Sequence, residues 1–329
     1  MRIEVNDFTD PSYFIKEIEV DPGWVNDFGE EYHLYRKRWD NAVENLYAYD
    51  FPLCLEVESS YSCNFRCPNC PRFVAEVPLN GNMSVDIFQE IIKESREMNL
   101  DSIFLDHGGE SLLNKNLPEF VKLCRDAGIL DIMLSTNASV LTRDLSRQLI
   151  ENGITKINFS IDAATEHTYS IVRPGGMYER TIENIRIFLE EKMKYGKSYP
   201  RIRVSYIVQD CNRHEADKFF DLWKDHVNMV TFQKAKQYNS SWKEDTTLSS
   251  MLEYDFRCTQ IFTTMMIDYK GGIHVCNFDY NHNYCLGNIR ETTIKECWNS
   301  DLMRDFMELH KKGHWADNGH CRNCVLRSL

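Results

Sequence analysis

The stretch Cys63-Asn-Phe-Arg-Cys67-Pro-Asn-Cys70 decides the fold of this chain, because it follows directly on the apolar, strand-like run 53–58. Three thiolates on one short loop can hold three irons of a cubane 4Fe–4S cluster and leave the fourth iron without a protein ligand. A structural zinc site normally uses four ligands, and no fourth candidate is obvious near this loop. The spacing C-x3-C-x2-C therefore predicts a catalytic iron–sulfur cluster on the loop after the first strand of a sheet.

Outward from this loop, short β-branched runs alternate with longer amphipathic runs, which is typical of a parallel sheet with helical crossovers. The predicted strands are 53–58, 102–106, 130–135, 156–161, 202–208 and 228–232. The predicted helices are 84–98, 117–127, 143–151, 178–194 and 213–225. Ser84 is expected to cap the first helix, and Gly128 and Gly153 to end two others. Six units are too few for a closed eight-stranded barrel, so we expect an α/β fold with an open, partial β/α barrel and its functional groups at the carboxyl ends of the strands.

Composition divides the chain into four segments. Residues 1–50 are acidic and rich in aromatic residues, include a predicted helix over 30–48, and are interpreted as an N-terminal cap. Residues 51–235 form the predicted barrel, and the polar stretch 236–250 is interpreted as a linker. Residues 251–329 contain four clustered cysteines, short predicted strands and a last helix, which indicates a small C-terminal domain.

The 329-residue chain carries 38 Lys and Arg against 50 Asp and Glu, a formal charge of −12, without a long basic block. This argues against a nucleic-acid or anionic-membrane partner. No apolar run is long enough to span a bilayer, and the N-terminus lacks the order of a signal peptide, so we expect a cytoplasmic protein. Its 12 cysteines are then kept reduced, which makes metal ligation the leading interpretation of those that cluster.

A second set of cysteines lies in the C-terminal segment and consists of Cys258, Cys276, Cys321 and Cys324. Four thiolates would ligate a 4Fe–4S cluster completely, and such a closed cluster is suited to passing electrons. A four-cysteine zinc site remains the alternative for two distant pairs. Cys285 and Cys297 lie in the same segment and could replace a member of the set. Cys54, Cys124 and Cys211 are interpreted as non-ligating.

The first cysteine motif and the alternating segment behind it resemble the radical S-adenosylmethionine (SAM) superfamily, over about residues 51–329. Three further stretches carry the resemblance, and each follows a predicted strand: His107-Gly108-Gly109-Glu110, Ser135-Thr136-Asn137, and Ser160-Ile161-Asp162 together with Arg173-Pro174-Gly175. Ala138 replaces the glycine that usually ends the second stretch. Asn69 stands where family members often carry an aromatic residue, so only its backbone is expected to contact the adenine.

The resemblance implies a set of cofactor contacts. The backbone of Gly108 and Gly109 and the side chain of Glu110 are expected to hold the methionyl amino group. Ser160 and Arg173 are expected to face the ribose and carboxylate side of SAM, and Asn137 and Asp162 are the remaining expected SAM contacts. Reduced flavodoxin or ferredoxin is the implied electron donor.

The C-terminal segment resembles the SPASM and twitch domains of the same superfamily. The spacing C-x12-G-x4-C from Cys258 through Gly271 to Cys276 fits their opening motif, and Leu286-Gly-Asn-Ile289 and Trp298-Asn-Ser300 match a further common stretch. The sequence continues for only five residues after Cys324. We therefore expect two 4Fe–4S clusters in all, one that binds SAM and one auxiliary, with the twitch form as the better match.

The resemblance implies reductive cleavage of SAM to a 5′-deoxyadenosyl radical, followed by hydrogen-atom abstraction from substrate. The favoured hypothesis is an oxidoreductase acting on a small polar molecule, such as a sugar or an aminocyclitol, with the auxiliary cluster accepting an electron. The alternative is a maturase that modifies a ribosomally made peptide. A non-enzymatic metal-binding module is disfavoured by the three-cysteine loop.

A catalytic acid or base is the least determined part of the site. Relatives that oxidise alcohols can place Asp directly after the cysteine of G-x4-C, where this chain has Asn277, and Asp279 comes two residues later. Asp279 is therefore the candidate acid–base group, with a solvated or capping carboxylate as the alternative.

Overall fold

The computed structural model describes residues 14–20, 28–73, 80–235, 257–322 and 324. The strands are β1 Phe14–Glu19, β2 Cys54–Val57, β3 Ser102–Phe104, β4 Asp131–Thr136, β5 Lys156–Ser160, β6 Arg201–Val208, β7 Met229–Lys234, β8 Thr264–Ile267, β9 Gly272–His274 and β10 Cys285–Asn288. The helices are α1 Glu30–Asn45, α2 Val85–Glu97, α3 Leu117–Asp126, α4 Arg143–Asn152, α5 Glu166–Val172, α6 Tyr178–Tyr195, α7 Ala216–Trp223, α8 Ile294–Trp298, α9 Asp301–Lys311 and α10 Gly319–Arg322. Among the described residues, no helix is both long and apolar enough to cross a membrane.

Strands β2 to β7 are the six predicted strands, and they lie side by side in chain order as one parallel sheet. The open, partial β/α barrel is therefore confirmed. One face of the sheet is apolar, with fully buried side chains such as Ile103 and Ile157. The rings of Phe88 and Phe120, from α2 and α3, stack with centroids 4.0 Å apart. This packing leaves the other face of the sheet for polar side chains.

The sheet continues beyond the six strands at both ends. Strand β1 pairs antiparallel with β7, and β8 pairs parallel with β2 and leads into the antiparallel hairpin of β9 and β10. The cysteine-rich C-terminal segment thus joins the barrel through one continuous sheet, which has ten strands in the described part of the chain. The predicted linker 236–250 lies outside the described residues, and the domain boundaries stay a prediction.

Helix α1 packs at the amino-terminal ends of the barrel strands. The Tyr35 hydroxyl donates to Ser102 Oγ at the start of β3 (3.2 Å), and Lys156 Nζ at the start of β5 donates to the Tyr32 hydroxyl (2.9 Å). Both tyrosines are almost fully buried. Tyr32 and Tyr35 therefore cover the end of the barrel that lies opposite the cysteine loop.

The structure has the three predicted helix ends, but one predicted capping hydrogen bond is not formed. Gly128 and Gly153 follow α3 and α4 in left-handed conformations, at φ of 86° and 101°. Ser84 precedes α2 as predicted, but its side chain makes no capping hydrogen bond to the first turn. The N-cap position was predicted correctly and its hydrogen bond was not.

Candidate active site

The loop with Cys63, Cys67 and Cys70 lies at the carboxyl end of β2. The Cys70 N–H donates to the Cys67 carbonyl (3.1 Å), and the Phe65 N–H points at Cys63 Sγ (3.5 Å). The pKa of the Cys70 thiol is raised to about 11, mainly by burial and also by the neighbouring charges of Cys67 and Cys63. The three sulfur atoms therefore lie close enough for their charges to act on one another, and bound metal ions would compensate this negative charge.

Glycines at 108 and 109 let the loop after β3 lie against the segment that leads into the cysteine loop. A Cβ on Gly109 would collide with the backbone carbonyl oxygen of Ser60, so only glycine fits there. The Glu110 N–H donates to the Ser62 carbonyl oxygen (2.7 Å) across this contact. The two stretches that the resemblance singled out thus meet directly.

The Glu110 carboxylate is buried and already accepts three hydrogen bonds. Its donors are the Leu112 N–H (3.1 Å), the Thr136 hydroxyl (2.6 Å) and the Asn137 N–H (2.8 Å). An ionised carboxylate can accept about four, so roughly one acceptor position remains for the expected amino group. Glu110 therefore also ties the loop after β3 to the loop after β4.

The loop after β4 turns sharply at Ala138. This buried residue has a φ of 58°, in the left-handed region that favours glycine, which explains why glycine is usual there. Asn184 of α6 donates to the Ala138 carbonyl oxygen (2.8 Å) and holds the turn. The Asn137 side chain reaches Asn64 in the cysteine loop, with Nδ2 donating to Oδ1 at 3.2 Å.

Asp162 and Arg173 form a buried ion pair beside the cysteine loop. The Ile207 N–H donates to Asp162 Oδ1 (2.7 Å), and Arg173 Nη1 lies 3.7 Å from Cys67 Sγ. Burial alone would lower the pKa of Arg173, but the charges of Asp162 and Cys67 outweigh it and raise that pKa. The guanidinium is thus a fixed positive charge next to a cysteine. Ser160 is half-buried at the carboxyl end of β5.

The cysteines Cys258, Cys276, Cys321 and Cys324 line one cavity. The other lining residues are Ile261, Phe278, Phe306, His310 and His320. Burial raises the pKa of Cys276, and the charges of Cys258, Cys324 and Cys321 add to this effect. Cys285 is exposed and Cys297 is buried outside the lining. The structure therefore brings together the four cysteines of the predicted set.

His310, from α9, forms part of the wall of this cavity and was not predicted from the sequence. Its Nδ1 accepts the Cys258 N–H (3.0 Å), so Nε2 carries the ring proton and faces Cys321 Sγ at 3.4 Å. Burial lowers the pKa of His310 to about 4, which keeps the ring neutral. The arrangement supplies an N–H donor to one cysteine sulfur.

A row of polar side chains crosses the concave face of the sheet. The Ser135 N–H donates to Asp106 Oδ2 (3.0 Å), the Asn158 amide donates to Ser135 Oγ (3.4 Å), and Arg203 Nε donates to Asn158 Oδ1 (3.0 Å). Burial raises the pKa of Asp106 to about 7, with the charge of Glu56 adding to it. The barrel interior is therefore polar from β3 to β6.

Beside this row, His107 Nδ1 lies 2.8 Å from Glu56 Oε1, and the Asn277 amide donates to Glu56 Oε2 (2.5 Å). The His107 ring stacks on Tyr280, with centroids 5.7 Å apart. Asn277 and Tyr280 follow Cys276, so this cluster joins the barrel to the segment that carries the second cysteine set. These contacts were not predicted from the sequence, although Glu56 within an apolar strand and a histidine before Gly-Gly were visible signals.

Asp279 lies in the same segment, where its carboxylate organises its own loop. Oδ2 accepts the Tyr284 N–H (2.7 Å), Oδ1 accepts the Asn283 amide (3.4 Å), and the residue is 3% exposed. Asp279 thus makes the contacts of a capping carboxylate, which was the alternative to an acid–base role. An acid–base role for Asp279 stays a prediction.

The residues present fit two iron–sulfur sites. The loop after β2 carries three thiols at the open edge of the parallel sheet. Four further thiols line the cavity of the C-terminal segment. A fold and donor set of this kind define a radical SAM protein with an additional cluster-binding segment.

The chain belongs to the radical SAM superfamily. Residues 57–202 match the model of the Radical SAM superfamily, and residues 258–325 match the SPASM iron–sulfur cluster-binding domain. SAM and 4Fe–4S clusters are the cofactors of these domains. The Radical SAM match, residues 57–202, lies on the barrel described above.

Curated relatives include a probable GTP 3',8-cyclase of Saccharolobus solfataricus, 25% identical over 204 residues, which are 61% of this chain and 63% of that protein. A probable GTP 3',8-cyclase of Methanococcus maripaludis is 28% identical over 48% of this chain and 51% of its own length. The chain thus spans between about half and two-thirds of the length of these relatives.

Two solved structures show the same fold. BtrN in complex with AdoMet and 2-DOIA has a TM-score of 0.55 and 20% identity, over 82% of this chain and 92% of BtrN. Streptococcus suis SuiB bound to the precursor peptide SuiA has a TM-score of 0.56 and 16% identity, over 89% of this chain and 74% of SuiB. At these identities the likeness describes the fold alone.

Proposed function

We propose that this chain is a radical SAM oxidoreductase that oxidises a small polar molecule, sugar- or aminocyclitol-like, and passes an electron to an auxiliary cluster. The observation that carries the proposal is the polar row on the concave face, with Asp106, Asn158 and Arg203 linked by hydrogen bonds. Buried polar groups are costly unless they are paired, so such a surface binds hydroxyl or amino groups better than apolar ones.

The charge of this surface narrows the substrate class. Glu56 and Asp106 bring two carboxyl groups to the same region, and the charge of Glu56 acts on Asp106. The acceptor oxygens of these two carboxyl groups favour a substrate with amino or hydroxyl substituents, which supports an aminocyclitol-like molecule.

Bound SAM and the open cluster supply the 5′-deoxyadenosyl radical that removes a hydrogen atom from an unactivated carbon. We assign Cys63, Cys67 and Cys70 as ligands of that cluster. Around it, Gly108, Gly109, Glu110, Asn137 and Arg173 orient SAM, while Ser160 and the Asp162 ion pair support the ribose and carboxylate side. Reduced flavodoxin or ferredoxin is the proposed electron donor.

The four cysteines of the second cavity are assigned to one auxiliary cluster of the twitch type. Four thiolates leave no iron open to substrate, so an electron-accepting role suits this site best. Apart from His310 and His320, the other residues of the cavity wall are apolar. The same cysteine-rich segment brings Asn277 to Glu56 of the barrel, which supports a substrate region between the two sites.

The test is substrate-dependent formation of 5′-deoxyadenosine by the anaerobically reconstituted, dithionite-reduced enzyme. The panel contains 2-DOIA, the compound bound by BtrN, with myo-inositol, glucosamine, GTP and a short unstructured peptide. We expect a polyol or amino sugar to accelerate SAM cleavage and to lose two hydrogens by mass spectrometry. Stimulation by the peptide alone would support the maturase alternative, and stimulation by GTP alone would support a cyclase; either result overturns the proposal.

A further inference from the structure

The histidine of His107-Gly108-Gly109-Glu110 has no role in binding SAM or a cluster in the assignments above. Its side chain is 6% exposed, yet it lies on the polar, concave side of the sheet and not in the apolar core. Glu56, its partner on β2, is held from the other side by Asn277. Both oxygens of the Glu56 carboxylate are therefore engaged, and the carboxylate keeps a fixed position.

The hydrogen bond to Glu56 determines which ring nitrogen is free. Since a carboxylate can only accept, Nδ1 of His107 carries the proton, and Nε2 of the neutral ring keeps its lone pair. Within the described residues, no hydrogen bond is made to Nε2. The Tyr280 ring, tilted by 14° to the imidazole, limits its rotation. A carboxylate-oriented imidazole with a free Nε2 is the arrangement of a general base.

The electrostatic surroundings make this imidazole a stronger base. Burial lowers the pKa of His107, but the hydrogen bond and charge of Glu56, with the charges of Glu58 and Asp106, raise that pKa overall. Of the groups nearby on the second segment, Asn277 cannot accept a proton, and each oxygen of Asp279 accepts a hydrogen bond within its own loop, from Tyr284 or Asn283.

We propose that His107 accepts the hydroxyl proton of the substrate during oxidation and that Glu56 is its positioning residue. This inference rests on the proposed function. The O–H bond breaks as its proton passes to Nε2, and the carbon-bound hydrogen leaves as an atom to the 5′-deoxyadenosyl radical. The remaining electron leaves to an oxidised iron–sulfur cluster as the C=O bond forms, and His107 later releases its proton to water.

The experiment compares His107→Gln and Glu56→Gln with the wild-type holoenzyme, using whichever of 2-DOIA, myo-inositol or glucosamine supports SAM cleavage, deuterated at the reacting carbon. We expect His107→Gln to lower oxidised product by about 100-fold while deuterium still reaches 5′-deoxyadenosine. In Glu56→Gln the acidic limb of the pH–rate profile should move to lower pH, because the pKa of His107 falls. A purely structural role of Glu56 would not move this limb.

The controls separate this inference from the proposed function. His167→Gln changes an exposed histidine on α5 and should behave as wild type. Imidazole added to His107→Ala should restore part of the product, which also excludes simple misfolding. If Asp279→Asn stops product formation while His107→Gln does not, the inference is wrong and the oxidoreductase proposal stands. If no polyol or amino sugar is oxidised by the wild type, the proposed function itself fails.

Discussion

His310 Nε2 lies 3.4 Å from Cys321 Sγ, and the Cys258 N–H on the opposite ring nitrogen fixes it as the donor. Hydrogen bonds to cluster sulfurs stabilise the more negative, reduced state. His310→Leu should therefore lower the midpoint potential of the auxiliary cluster, by about 40 mV for a bond worth ~1 kcal/mol. An EPR-monitored redox titration measures this. His314→Leu, at an exposed histidine just beyond α9, is the control, and an unchanged potential in His310→Leu would exclude the donor role.

Replacing Cys63, Cys67 and Cys70 together by Ala should halve the iron content of the reconstituted chain, from about eight to about four irons. The second site should keep its iron, because its cysteines lie around a separate cavity. Formation of 5′-deoxyadenosine should be abolished. Iron and sulfide analysis and a SAM-cleavage assay test this, and cleavage by a well-folded triple variant would refute the assignment of the first site.

Cys321→Ala with Cys324→Ala should spare hydrogen-atom abstraction more than product formation. Abstraction needs only the first cluster, whereas oxidation needs an acceptor for the electron. Deuterium should still reach 5′-deoxyadenosine while oxidised product falls at least about tenfold, the factor that ~1.4 kcal/mol represents. Circular dichroism and retained SAM binding must accompany the assay, because metal binding can contribute to folding. Normal turnover in a folded variant would make this cluster structural.

Ala138→Gly should stabilise the holoenzyme slightly, by up to about 1 kcal/mol. The left-handed φ of 58° costs alanine roughly 1–2 kcal/mol, and the loss of a buried methyl group offsets part of the gain. Ala163→Gly is the matched control: it is also buried but is not among the positive-φ residues, and should lose about 1 kcal/mol. Urea denaturation of both variants checks the opposite signs.

The buried carboxyl of Asp106 should make stability depend on pH. Burial raises its pKa to about 7, so between about pH 4 and pH 7 the folded chain binds more protons than the unfolded chain, and stability falls as pH rises. Asp106→Asn removes this loss and keeps an acceptor for the Ser135 N–H. We expect the variant to gain stability over wild type at about pH 8 but not at about pH 4.5. Asp210→Asn, at an exposed carboxylate, should show no such difference.

The parts of the site that sequence analysis located depend on residues close together in the chain. The cysteine loop follows its strand by a few residues, and Gly109 reflects a close contact with the Ser60 backbone that excludes a side chain. Such features are readable because a loop after a buried strand must lie at the edge of the sheet. The periodicity of apolar residues located the six strands of the barrel, because it too depends on residues close together in the chain.

Only the tertiary structure decided which distant residues meet. Glu56 and Asn277 are 221 positions apart, and they touch because β8 pairs with β2 and carries the second segment to the edge of the barrel. His310 reaches Cys258 and Cys321 because α9 packs against the cavity. Periodicity shows which face of a strand or helix is buried, but it does not say which other element covers that face. For this reason the sequence determined the cofactor loop and the sheet, while strand pairing determined the neighbours of His107 and helix packing brought His310 to the second cysteine set.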